Sequence, residues 1–190
     1  MPLLDDVLAH NERFVADSMR PITRSPAKRI AIFTCMDTRL IDFLEPAMGL
    51  GRGDAKVIKN AGTTVIDSQG GVIRSLVVAV HALGCEEIYT IGHLDCGMGQ
   101  IDERQLERRM LERGISPEAI AALHPSLGEW LGTFRDVYGN VRRVTQIIRD
   151  NPLIPNDVPV HGLMFDPASG RLELLMNGYR AAPNARPAQG

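Results

Sequence analysis

The stretch IAIFTCMDTRL, residues 30 to 40, joins an apolar run rich in β-branched residues to a short polar segment. The apolar run predicts a buried strand over residues 29 to 35. The run ends in Cys35, and Asp37 and Arg39 follow within four residues. A thiol, a carboxylate and a guanidinium therefore stand together where the strand leaves the core, which makes this strand end the first candidate for a functional site.

Further strands alternate with helices along the chain. Residues 55 to 62 and 86 to 92 predict two more strands, and a helix from about Val72 to Leu83 lies between them. The later pattern predicts a charged helix ending at Gly114, a short helix after Ser116, one long helix within residues 126 to 152, and two strands around a turn at residues 167 to 170. This alternation predicts an α/β fold: a mostly parallel central β-sheet flanked by helices, with an N-terminal helical arm and a C-terminal strand pair.

The chain divides into three parts. Residues 1–28 predict a helical arm, amphipathic over residues 3 to 19, and a proline-containing connection. Residues 29–180 are predicted to form the α/β domain, and residues 181–190 a flexible tail. The apolar stripe of the arm leads to the hypothesis that the arm packs across a partner subunit.

Composition narrows the classes of function. The 190 residues are 44% hydrophobic and 23% charged, and the net charge is −2. This balance provides no electrostatic basis for binding nucleic acid or an anionic membrane. The sequence has no window of eighteen uninterrupted apolar residues, so no membrane span is predicted. The acidic start of the chain does not resemble a secretory signal. We therefore expect a cytoplasmic protein that binds neither nucleic acid nor membrane.

The three cysteines are Cys35, Cys85 and Cys96. An odd, sparse set does not indicate a disulfide framework, which leaves core packing, nucleophilic chemistry or metal binding. Cys96 follows His93 with two residues between them, a common spacing for metal ligands. Since parallel strands end at one edge of a sheet, Cys35 and His93 are expected to meet there.

Two thiolates and one imidazole suit Zn²⁺ in a tetrahedral site. Cys85 precedes the third strand and would lie roughly 20 Å from His93, at about 3.3 Å per residue. Without a fourth Cys or His ligand, one position is left for water, substrate or a carboxylate, which is typical of catalytic zinc. Asp37 is predicted either to orient a nucleophile on the metal or to bind the metal itself as a fourth ligand in a closed state, while Arg39 holds Asp37 through a charge-assisted pair.

Three motifs together carry a family resemblance. Cys35-Met36-Asp37-Thr38-Arg39, Asn60-Ala61-Gly62 and His93-Leu94-Asp95-Cys96-Gly97 resemble, in order and spacing, the motifs of the β-class carbonic anhydrases. The resemblance runs from the first strand to the final strand pair, and the chain looks like a compact member. It implies a zinc-dependent lyase (carbonate dehydratase) with Zn²⁺ on Cys35, His93 and Cys96, and a homodimer or a dimer of dimers.

The resemblance implies the reversible hydration of carbon dioxide to bicarbonate and a proton, by attack of zinc-bound hydroxide. Asp37 and Arg39 are the predicted catalytic residues, and Gly62 is predicted to shape the substrate pocket. Two alternatives stay open at this point. One is hydrolysis of carbon disulfide or carbonyl sulfide by the same zinc site, and the other is a zinc-binding regulatory protein without catalytic activity.

Overall fold

The structure, a computed structural model, describes residues 3–16, 23–123 and 126–179. The helices are α1 (Leu3–Ala16), α2 (Leu44–Ala47), α3 (Gly71–His81), α4 (Glu103–Glu112), α5 (Pro117–Ala121), α6 (Leu127–Leu131) and α7 (Val137–Arg149). The strands are β1 (Ile30–Cys35), β2 (Ala55–Asn60), β3 (Glu87–His93), β4 (Val160–Phe165) and β5 (Leu172–Met176). Residues 17–19 of the predicted arm helix and the predicted tail lie outside the described residues.

The five strands form one sheet in the order β2-β1-β3-β4-β5. The first four are parallel, and β5 pairs antiparallel with β4. The predicted α/β fold with a C-terminal strand pair is therefore confirmed. Because β1 and β3 are neighbours, the last residues of these strands, Cys35 and His93, lie at the same edge of the sheet.

Apolar side chains cover the sheet in two clusters. One contains Phe33, Leu76, Ile88 and Ile148 and draws on α3 and α7. The other contains Ile32, Leu40, Leu44, Ile91 and Phe165, and it surrounds the two cysteines Cys35 and Cys96. Strand β1 is nearly uniformly apolar because it is packed on both faces, as parallel strands usually are. Cys85 belongs to the first cluster, away from the other two cysteines.

The long helix predicted within residues 126 to 152 is wrong. Two helices occupy the segment, because Gly132 adopts a left-handed conformation (φ 66°) that ends α6, and α7 starts only at Val137. Leu131 and Phe134 still pack into the core on either side of the break, so the apolar spacing imitates one continuous helix. Ser126 caps the start of α6, since its Oγ accepts the Glu129 N–H at 3.2 Å.

None of the described helices combines the length and the apolar character needed to cross a membrane.

Candidate metal centre and active site

Three elements deliver the predicted ligands to one point. Cys35 is the last residue of β1 and His93 the last residue of the neighbouring β3. Cys96 precedes a single 3-10 turn, Gly97–Gly99, that begins four residues after β3 ends. The strands fix the first two side chains, and the tight loop after β3 turns the third back toward them.

The three side chains converge. One ligand atom from each of Cys35, His93 and Cys96 lies within 4.8 Å of the other two, and the two sulfurs are 4.0 Å apart. All three residues are at most 5% exposed. Elsewhere in the described ranges no other group of three His, Cys, Asp or Glu side chains has this arrangement. The cluster can therefore bind a metal ion away from bulk water.

The hydrogen bonding of His93 assigns its two ring nitrogens. Nδ1 lies 2.9 Å from the Leu94 carbonyl, which can only accept, so Nδ1 carries the proton of the neutral ring. Nε2 is buried without a hydrogen-bond partner. Burying a nitrogen lone pair costs folding free energy unless the lone pair accepts a hydrogen bond or binds a metal. Histidines that bind metals commonly donate their other N–H to a backbone carbonyl. The ring is thus arranged as a metal ligand through Nε2.

The two thiols shift each other's pKa in opposite directions. The hydrogen bond with Cys96 lowers the pKa of Cys35 far below its usual value, against burial, which raises it. The same bond, together with burial, raises the pKa of Cys96, so the proton remains on Cys96. Burial by itself lowers the pKa of His93, but the Cys35 sulfur and the Leu94 carbonyl bring it above its usual value. A divalent cation would replace the proton on Cys96, since metals bind the thiolate form.

Asp37 and Arg39 form a forked ion pair at the edge of the cluster. Arg39 donates from Nε to Asp37 Oδ1 and from Nη2 to Oδ2, both at 2.9 Å. The bond from Arg39 lowers the pKa of Asp37 to about 2, although burial opposes the shift. Asp37 Oδ2 lies 3.8 Å from His93 Nε2. An ionised carboxylate therefore faces the point at which the predicted ligands converge.

Asp95 extends the ion pair, a contact that the sequence pattern did not predict. Arg39 Nη1 donates to Asp95 Oδ2 at 3.0 Å, and Arg39 Nη2 donates to the Asp95 carbonyl at 2.8 Å. Gln100 donates to the remaining oxygen, Asp95 Oδ1, at 2.8 Å. Arg39 is thus held from both sides, with two carboxylates fixing the plane of its guanidinium. The position of Asp95 between His93 and Cys96 was the available signal.

Gly62 supports the cluster from the backbone. Its N–H donates to Cys35 Sγ at 3.3 Å, so it touches a predicted ligand directly. Its φ of 75° is left-handed, and a Cβ there would stand 2.7 Å from Met98 Cγ and 3.0 Å from Phe134 Cε1. Glycine is therefore required twice, by conformation and by space. The substrate contact predicted for Gly62 stays a prediction.

The fold and the site define an α/β protein with a buried S₂N metal-binding cluster beside a carboxylate–guanidinium pair. Comparison with known proteins agrees. A family model described as carbonic anhydrase matches residues 30–172. YtiB of Bacillus subtilis is 40% identical over 185 residues, covering 94% of this chain and 99% of YtiB. A carbon disulfide hydrolase of Acidithiobacillus thiooxidans is 31% identical over 157 residues, 76% of each chain.

A solved structure extends the agreement to three dimensions. The β-carbonic anhydrase isoform I of Trichomonas vaginalis superposes with a TM-score of 0.89 at 37% identity, covering 94% of this chain and all of that chain. The chain belongs to the β-class carbonic anhydrase family, an enzyme family of zinc-dependent lyases.

Proposed function

We propose that this protein catalyses the reversible hydration of carbon dioxide to bicarbonate and a proton, with Zn²⁺ held by Cys35, His93 and Cys96. One observation carries the proposal: an unpartnered, buried His93 Nε2 and two thiol sulfurs converge beside the ionised carboxylate of Asp37. The proposed metal ligands and a carboxylate that can accept a hydrogen bond from the reacting water thus lie within a few ångströms of one another.

The ligand set suits zinc. Two thiolates and one imidazole match the donors that Zn²⁺ prefers, and three protein ligands leave one coordination position for water or substrate. When bound, zinc acts as a Lewis acid that makes a coordinated water acidic enough to supply a nucleophile near neutral pH. The residues of the chain hold the ion, exclude bulk water from it, and orient the reacting groups.

Asp37 is proposed to accept a hydrogen bond from the reacting water and to fix its direction. Its low pKa keeps it an acceptor throughout the neutral range. Oδ1 accepts from the N–H and Nε of Arg39, and Oδ2 accepts from Nη2. Oδ2 keeps a second lone pair, which can accept from the reacting water while the fork stays intact. The released proton can reach solvent at this edge, since the Arg39 side chain is 42% exposed.

Gly62 is proposed to form part of the wall near the substrate. Its N–H is directed at Cys35, and the space beside its Cα is filled by Met98 and Phe134. These apolar side chains supply the surroundings that a small, uncharged substrate such as carbon dioxide prefers. The backbone bond to Cys35 gives Gly62 a second role, as support for a metal ligand.

Stopped-flow measurement of carbon dioxide hydration by the zinc-loaded protein tests the proposal. We expect turnover that rises with pH, and Asp37→Ala should keep zinc near one per chain while losing most activity. Asp67→Ala is the matched control, because Asp67 accepts the Gln69 N–H just as Asp37 accepts the Arg39 N–H, but outside the cluster. Full activity in Asp37→Ala would remove its assigned role. A zinc-loaded wild-type protein without turnover of any substrate would instead support the regulatory alternative.

A second candidate activity is the hydrolysis of carbon disulfide or carbonyl sulfide. It is favoured by the 31% identity to a carbon disulfide hydrolase over three quarters of the chain. The same donor set and the same carboxylate would serve either substrate. Release of hydrogen sulfide on addition of either compound, without carbon dioxide hydration, would select this activity over the first.

We propose that α1 packs across a second copy of the chain, giving a homodimer or a dimer of dimers. The apolar side chains of α1 have no covering within the described chain, and they are between 54% and 78% exposed: Leu3, Leu4, Val7, Leu8 and Phe14. A free helix with such a stripe is unstable in water, since helices depend on packing of their apolar face. A monomeric mass by light scattering would refute this proposal.

We also propose a cytoplasmic location. All three cysteines are free, and the sulfurs of Cys35 and Cys96 stand 4.0 Å apart without a disulfide between them. Paired free thiols persist in reducing compartments. Recovery of the protein with a periplasmic or secreted fraction would contradict this proposal.

A further inference from the structure

A buried asparagine of α7 reaches the backbone turn that touches the metal cluster. Asn140 is 5% exposed. Its Nδ2 donates to the carbonyl of Gly62 at 3.1 Å and, more weakly, to the carbonyl of Thr63 at 3.4 Å. These contacts join residues 77 and 78 positions apart in the chain.

The turn that Asn140 holds has an uncommon conformation. Gly62 and Thr63 are both left-handed, with φ of 75° and 53°. A positive φ is an outlier for a β-branched residue, and such residues persist only where their surroundings fix them. The Thr63 hydroxyl is tied to the Ile91 carbonyl at 3.2 Å, and Asn140 secures the backbone from the other side.

This turn directly contacts a predicted metal ligand, Cys35. With Gly62 in the left-handed conformation, its N–H points at Cys35 Sγ, 3.3 Å away. A hydrogen bond to a thiolate stabilises the charged ligand and fixes the direction of its lone pairs. The carbonyl and the N–H of Gly62 therefore join Asn140 to Cys35 through a single residue.

The orientation of the Asn140 amide is itself determined. Arg143 Nη2 donates to Asn140 Oδ1 at 2.9 Å, which leaves the NH₂ group facing the turn. Arg143 Nη1 lies 3.5 Å from the Val65 carbonyl, at the far end of the same loop. Asn140 and Arg143 lie about one turn apart on α7, and their hydrogen bonds hold the two ends of the loop of residues 62 to 65.

We propose that Asn140 is a positioning residue of the metal centre, which holds Gly62 so that its N–H stays on Cys35 Sγ. The inference deepens the proposed function and depends on it only in that the cluster binds a metal. Removing the amide should let the left-handed turn relax, so that Cys35 loses its backbone partner. Loss of a partner that supports a metal ligand typically weakens metal affinity about 10- to 100-fold.

A purely structural role is the alternative, and the chain offers a matched control for it. Asn151 is also 5% exposed, and its Nδ2 donates to a loop carbonyl, that of Ser68, at 2.7 Å. Ser68 makes no contact with the cluster. Asn140→Asp and Asn151→Asp each remove one buried donor with the same change in side-chain shape, and they release different loops. The new carboxylates also meet different partners, since Arg143 donates to Asn140 Oδ1 and the Leu153 N–H donates to Asn151 Oδ1.

The experiment measures metal binding rather than turnover. Zinc affinity is determined by competition with a chromophoric chelator, and the Co²⁺-substituted proteins are compared by their sulfur-to-cobalt charge-transfer absorption. We expect Asn140→Asp to weaken zinc binding about tenfold and to shift the charge-transfer band, while Asn151→Asp leaves both unchanged. Unchanged affinity and absorption in a folded Asn140→Asp protein, or equal changes in both variants, would overturn the inference.

If Asn140→Asp does not fold, Asn140→Ser with Asn151→Ser carries the same test. Serine is too short to reach the Gly62 carbonyl and leaves no buried charge, so the same two expectations and the same contradicting results apply. These readouts need no carbon dioxide. A wild-type protein without hydratase activity would defeat the proposed function, and the effect of Asn140 on the metal site would still be decided.

Discussion

Replacing Gly62 by alanine should be costly for two separable reasons. The left-handed backbone (φ 75°) costs an alanine about 1 to 2 kcal/mol. The added Cβ would also stand 2.7 Å and 2.9 Å from two carbons of Met98 and 3.0 Å from Phe134, closer than carbon atoms pack. Overpacking of this kind costs about 1 to 3 kcal/mol. We therefore expect Gly62→Ala to lower the free energy of unfolding by about 3 kcal/mol.

Gly84→Ala separates the two contributions. Gly84 has nearly the same φ, 72°, but nothing lies within 4 Å of a Cβ built there. Gly84→Ala should therefore lower the free energy of unfolding only by the cost of the left-handed backbone, about 1 kcal/mol. Urea unfolding of metal-free protein, followed by circular dichroism at one protein concentration, measures both variants without the stabilisation that a bound metal adds. Equal losses in the two variants would refute the packing argument at Gly62.

Further expectations concern the ion pair, pH and the arm. Arg39→Met should reduce carbon dioxide hydration at least about tenfold at unchanged zinc content, because Asp37 loses its orienting partner; wild-type activity would contradict this. Burial lowers the pKa of His161 below 6.5, and the hydrogen bonds that Glu87 accepts outweigh burial and lower its pKa too. Both groups therefore bind protons more readily in the unfolded chain than in the folded one. The stability that they contribute is present above pH 6.5 and is lost as pH falls, first as His161 gains a proton and then as Glu87 does. Between pH 7 and pH 5 the urea midpoint of the wild type should therefore fall relative to that of His161→Gln. Val7→Glu should shift the mass by light scattering toward the monomer.

Much of the site could be predicted because it follows from strand periodicity. The apolar runs that end at Cys35 and His93 indicate buried strands, and parallel strands end at a common edge. The spacing of His93 and Cys96 within one tight loop predicts the third member. These inferences use only local sequence and the general behaviour of parallel sheets.

The remaining features depend on contacts that no local pattern encodes. The break at Gly132 was hidden because apolar residues continue at helical spacing on both sides of it. The bond from Arg39 to Asp95 joins two loops 56 residues apart, and that from Asn140 to Gly62 joins elements 78 residues apart. In both cases the partners are common polar residues, whose roles arise only when the packed helices and strands bring them together.

X-ray absorption at the zinc edge, on protein purified with its metal, measures the proposed ligand set itself. We predict one zinc per chain with two sulfur neighbours at about 2.3 Å and one imidazole nitrogen at about 2.0 Å, the remaining neighbour being oxygen. A zinc environment without sulfur, or folded protein that binds no zinc, would contradict it.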